Sequence, residues 1–118
     1  MRTGLRIRLY ALVFSSTVLV TLAVGSRAVH AHRLPQGWLR AALCVHSHEG
    51  SWRDSGAPYW GGLQMDMTFM RNYGSRELRR WGTADHWSPH TQLDVAYRGW
   101  KVQGWSAWPN TARMCGLL

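Results

Sequence analysis

The stretch CVHSHEGSW, residues 44–52, decides how the rest of the chain reads. It opens on one of two cysteines, holds one of two glutamates and ends on a tryptophan. The residues leading into it carry a helical repeat. In GWLRAALCVHSHE, Leu39, Ala42, Leu43 and His46 recur at i, i+3, i+4 and i+7, and Gly50 supplies the stop. Glu49 therefore falls on the last turn, at the negative end of the helix dipole. A negative charge is disfavoured there, so the protonated carboxyl gains. Apolar or aromatic walls would strengthen that preference and leave an acid ready to protonate a leaving group. Trp52, Tyr59 and Trp60 are close enough in sequence to build such walls. The plain alternative is a solvated helix-end carboxylate, which is what most glutamates are.

Upstream, MRTGLRIR carries three arginines and no acid, and LYALVFSSTVLVTLAVG (9–25) is apolar over 17 residues. Val29 and Ala31 then stand at small-residue positions before His32. This is the three-part pattern of a secretory signal, expected over residues 1–31. An uncleaved membrane anchor is the other reading, but the run is shorter than the ~20 residues a stable span needs. Cleavage leaves His32–Leu118, 87 residues that hold all eight tryptophans. That is small for a stable core, yet each buried indole contributes a large apolar area. Ten basic residues face six acidic ones in this part, a net charge of +4. A modest positive charge suits an anionic envelope polymer. It is too scattered for nucleic acid, which is excluded as a partner. In an exported protein Cys44 and Cys115 pair by default, and closing so long a loop contributes about 4–5 kcal/mol. A reactive thiol or metal ligation has weaker support, because no CxxC occurs.

Residues 32–37 read as a short extended lead-in and 38–118 as the domain, with Pro35 biasing Leu34 away from helix. Ser51–Gly62 reads as an irregular loop or short hairpin. LQMDMTFMRNY (63–73) has helical spacing, with Leu63, Met67 and Met70 on one side. Ser75 is a candidate cap for RELRRW, which pairs Leu78 with Trp81. The best punctuated helix has Ser88 as N-cap, Pro89 at the first position and Gly104 as stop, with Leu93, Ala96, Tyr97 and Trp100 as its apolar stripe. The expectation is a small, mainly α domain with a cleft-forming loop.

Three blocks in order, CVHSHEGSW, YWGGLQMDMTFM and QGWSAWP followed by a cysteine, resemble the actinobacterial transglycosylase-like domain of resuscitation-promoting factors. That family reads E-S-G-x-x-W, then Y-Y-G-G-L-Q-F-x-x-x-T-W, then G-W-x-x-W-P before a closing cysteine. The resemblance spans about Trp38 to Gly116 and implies an α+β lysozyme-like fold acting on peptidoglycan glycan strands. Carried over by position, Glu49 matches the catalytic glutamate, and Cys44 with Cys115 the disulfide. Trp52, Tyr59, Trp60, Gln64 and Thr68 match positions along the sugar cleft. Flat rings suit the apolar C–H faces of sugars, whereas Trp81, Trp100, Trp105 and Trp108 are assigned to core packing. Here Gly50-Ser51 replaces Ser-Gly in a shortened loop, Met65 and Phe69 replace aromatics, and NTARM is inserted before Cys115, which reads as repacking.

Glycosidases generally use two carboxylates. Asp54 is the nearest candidate and matches no catalytic position of the family, and Asp66 is expected to face solvent from the second helix. If no second carboxylate partners it, one glutamate serves as acid and then base, the lytic transglycosylase route that the resemblance implies; hydrolysis, with water as acceptor, differs only in the nucleophile and stays open. The competing reading is a non-catalytic wall-binding or signalling module. His46 and His48 point to different faces, and Ser88-Pro89 breaks the helix between His86 and His90, so no metal is expected. No cofactor is expected either. The expected protein is a secreted monomer that meets peptidoglycan, and meets membrane only through an uncleaved signal segment.

Overall fold

Helix α1, Gln36–Glu49, begins one residue before the predicted segment and ends at Gly50, whose N–H returns to the His46 carbonyl. The computed structural model describes residues 33–118; the expected leader (1–31) and its cleavage site lie outside them. The face that α1 buries is rotated from the predicted one, keeping Ala42 and packing Leu39 in part against the core. Trp38, Ala42 and Val45 are buried, while Leu43 is 42% exposed. The Trp38 ring explains the rotation. It packs edge-on against Tyr97 at 4.9 Å and parallel to Trp105 at 6.1 Å, so the largest side chain on the helix sets which face turns inward.

The segment read as one helix over 63–73 divides in two. Tyr59–Trp60 (β1) and Met65–Asp66 (β2) pair antiparallel, Tyr59 opposite Asp66 and Trp60 opposite Met65. Helix α2 then runs Met67–Tyr73. Asp66 causes the delay. Its carboxylate accepts from the Phe69 N–H, which makes it the N-cap of α2; it is exposed, as expected, but stands ahead of the helix rather than on it. Leu63 and Met70 are nonetheless both buried, as the spacing requires.

Helix α3, Ser75–Trp81, starts after Gly74, and the Ser75 side chain makes no cap bond. Trp81 is 47% exposed, so it is not core; an Arg80 guanidinium lies 5.0 Å over its ring. The inward residue of α3 is Glu77, whose carboxylate receives Arg98 Nη2 at 2.7 Å. Burial opposes the Glu77 charge, but the Arg98 hydrogen bond and charge outweigh it and hold the carboxyl below its ordinary range.

After a 3-10 turn at Ala84–His86, α4 covers Pro89–Gln103 with the predicted punctuation. The Ser88 hydroxyl accepts from the Thr91 N–H, Pro89 is the first residue, and Gly104 ends the helix at φ 61°. Its innermost face adds Gln92, Val95 and Gly99 to the predicted Leu93 and Ala96. Gly99 lies where α2 crosses α4; a Cβ there would run into the Phe69 ring and meet Tyr73 Cδ2 at 2.9 Å. Another 3-10 turn (Gly104–Ala107) leads to α5, Pro109–Met114, and the Cys44–Cys115 disulfide ties its end to α1. The result is a small, mainly helical domain with one two-residue-stranded hairpin and one disulfide. Among the described residues no helix is long and apolar enough to cross a membrane.

Candidate active-site groove

Glu49 lies at the end of α1, where α5 closes against it. The Thr111 hydroxyl on α5 donates to Glu49 Oε1 at 2.7 Å and fixes one carboxyl oxygen. Thr111 is buried, and Cys115 follows one helical turn later on the same face. The disulfide that pulls Cys115 onto α1 thus also brings Thr111 to the acid. The NTARM insertion is therefore more than repacking: it forms α5 and supplies the direct partner of Glu49.

Glu49 opens onto a cavity of about 300 Å³ shared with Tyr59, Gln64, Trp108 and Asn110. A second cavity of about 240 Å³ adjoins it along Tyr59, Gln64, Ala107 and Trp108 and continues past Thr68, Asn72 and Gln103. Together they make one groove between the hairpin and the α4–α5 turn. Of the residues singled out in the sequence, Glu49, Tyr59, Gln64 and Thr68 converge on it, and Asp66 lines its second half. Trp108 does too, although its ring belongs to the core: it is 5% exposed, its indole N–H donates to the Leu63 carbonyl at 2.7 Å, and it packs on Phe69 at 5.5 Å. One ring thus joins the groove wall to the aromatic core.

Trp52 and Trp60 line neither cavity. Trp52 stacks on His46 with ring centres 3.8 Å apart, and both rings lie against Gly62, where a Cβ would sit 2.6 Å from His46 Nδ1. His46 Nδ1 is 2.7 Å from the Gly62 carbonyl oxygen, an acceptor, so that nitrogen carries the proton. Trp60 is half-buried against the core. Both rings hold the loop that shapes the groove.

That loop has a second anchor, Gln92, which is fully buried in α4. Its Nε2 donates to the Trp52 carbonyl (2.8 Å) and the Trp87 carbonyl (3.0 Å), and its Oε1 accepts from the Gly62 N–H (2.8 Å). Periodicity gave no sign of Gln92, because a buried amide on an apolar stripe looks like an interruption. Thr111, Asn72, Gln103 and Asn110 also escaped notice. Thr111 alone carried a signal, its four-residue offset from a cysteine already expected to pair.

The two other carboxylates near the site are engaged. Asp66 caps α2. Asp54 Oδ2 accepts from Gln64 Nε2 at 2.8 Å, and its Oδ1 accepts from the Gly56 N–H at 3.0 Å. Among the described residues one cluster has metal-like proximity: Cys44, His48 and Cys115, with ligand atoms within 4.8 Å of one another. Both sulfurs are joined in the disulfide, which removes the thiolates a metal would need. Compared with known proteins, the chain matches no family model and no curated protein.

Proposed function

We propose that the mature chain is an exported, peptidoglycan-cleaving lytic transglycosylase, or muramidase, with Glu49 as its single general acid and base. The observation that carries the reading is the pairing of Glu49 with Thr111 at the wall of a groove lined by Tyr59, Gln64 and Trp108. One carboxyl oxygen is held and the other is left for substrate. The lysozyme-like character of the fold belongs to the same proposal and rests on the three sequence blocks.

A MurNAc–GlcNAc strand lies along the groove with a glycosidic oxygen at Glu49. The carboxyl gives its proton to that oxygen, the C1–O bond breaks, and the bonding electrons leave with the departing sugar. The N-acetyl group of the substrate shields the positive anomeric carbon. The C6 hydroxyl then attacks C1 and returns a proton to Glu49, which closes a 1,6-anhydro ring and regenerates the acid. The engagement of both Asp54 oxygens favours this one-carboxylate route over a two-carboxylate hydrolysis with Asp54 as the partner.

Incubation of purified mature protein with isolated peptidoglycan, followed by mass spectrometry, tests the proposal. Anhydro-ended muropeptides are the expected products. Reducing ends would make the enzyme a hydrolytic lysozyme. Binding to the wall without soluble fragments would make the domain a non-catalytic module and overturn the proposal.

A further inference from the structure

Gln64 combines three unusual features. It is the one non-glycine among the described residues with a left-handed backbone, at φ 47°. A residue of that kind costs about 1 kcal/mol relative to glycine, which serves such turns freely. Its side chain lines both halves of the groove. Its amide nitrogen also spends both protons inward, on Asp54 Oδ2 (2.8 Å) and on the Gly61 carbonyl (3.0 Å). Turning the amide over would set its oxygen against two acceptors, so the orientation is fixed. The amide oxygen is left without a partner among the described residues.

We infer that Asp54 is a positioning residue that locks the Gln64 carboxamide so that the groove wall offers a hydrogen-bond acceptor and takes a donor from the glycan, an N-acetyl N–H or a hydroxyl. Asp54 itself lines neither cavity and acts only through Gln64. A carboxylate suits the task because it accepts on both oxygens, one from Gly56 N–H and one from Gln64. Asparagine has a single oxygen. It satisfies one of these donors and turns its own N–H toward the other. A Cβ on Gly50 would stand 3.3 Å from Asp54 Oδ2 and 3.6 Å from Gln64 Nε2, so a side chain there would press on the Asp54 carboxylate by a few tenths of an ångström.

The inference rests on the glycan reading of the groove, and its test separates the two. Wild type, Asp54→Asn and Asp54→Ala are titrated with the tetramer of N-acetylglucosamine, and the Gln64 side-chain amide is followed by nitrogen-15 NMR. In wild type the two Gln64 amide protons exchange slowly before and after the tetramer binds. In Asp54→Ala they exchange fast and the dissociation constant rises about three- to tenfold, Asp54→Asn falls between Asp54→Ala and wild type, and the turnover of bound peptidoglycan is retained in both. Equal affinity in wild type and Asp54→Ala, or unaltered exchange at Gln64 in Asp54→Ala, overturns the role of Asp54 and leaves the groove reading intact. Failure of wild type to bind the tetramer overturns the glycan reading and the subsite together.

Discussion

The helical body and the loop that closes the groove are held by opposite means. The body is fastened by close apolar contact: Trp38 among Tyr97, Trp100 and Trp105, and α2 against α4 at Gly99. From Ser51 to Gly62 no side chain is fully buried, although Trp52 and Trp60 pack in part against the core. The loop is fastened by directed polar bonds, from Gln92 to Trp52 and Gly62, from His46 to Gly62, and from Asp54 to Gln64. Contact packing tolerates no added volume but needs no particular atom, whereas directed bonds need particular atoms and fix orientation. The hairpin side of the groove belongs to the second kind.

The largest expected effect tests the body. Gly99→Val places two methyl groups where Phe69 and Tyr73 already lie, and α2 has to move. The cost is about 3 kcal/mol, and calorimetry should show the melting temperature falling by about 15 °C. A melting point within a few degrees of wild type would mean that the helices do not approach this closely.

A smaller loss should follow from Gln92→Leu, and it should be local. The side chain keeps its volume, but the Gly62 N–H and the Trp52 and Trp87 carbonyls lose their partner. The expected cost is about 2–3 kcal/mol. Hydrogen exchange should accelerate between Ser51 and Gly62 while α1 and α4 stay protected. Uniform acceleration across the domain would erase the distinction between the two regions.

The contrast also separates what the sequence disclosed from what it hid. Helix α4 was legible to the residue because Ser88, Pro89 and Gly104 are local signals that tertiary contacts did not override. The existence of α1 was legible too, but the face it buries was not. Periodicity assigns a stripe and cannot know that Trp38 will turn inward at the expense of Leu43. The hairpin was obscured because Leu63, Met67 and Met70 are spaced for a helix and are also compatible with a turn ahead of an Asp66 cap. Within the site, Glu49, Tyr59, Gln64 and Thr68 could be named because they fall in contiguous blocks. Thr111 and Gln92 reach the site from 62 residues after Glu49 and 30 after Gly62, a distance that no local pattern records.

The smallest expected effect is a change in how stability depends on pH. The folded state depresses the Glu77 carboxyl below its ordinary value of 4.5, through Arg98 foremost among the stabilising partners and against the opposing effect of burial. The stabilisation is therefore complete above pH 4.5 and is lost as the pH falls through the depressed value. Denaturant titrations of wild type should show stability declining across that window. Glu77→Gln should be less stable at neutral pH and show a shallower decline in acid. Parallel curves would remove the Glu77–Arg98 pair from the acid response.

The most direct test of the central claim is the rate at which Glu49→Gln releases soluble fragments from isolated peptidoglycan, measured beside its melting temperature. Glutamine keeps an oxygen for the Thr111 hydroxyl, so the fold and melting point should be nearly unchanged, while the rate falls by about 10²–10⁴-fold with the loss of the transferable proton. A folded variant that cleaves as fast as wild type would contradict the assignment of Glu49 as the acid.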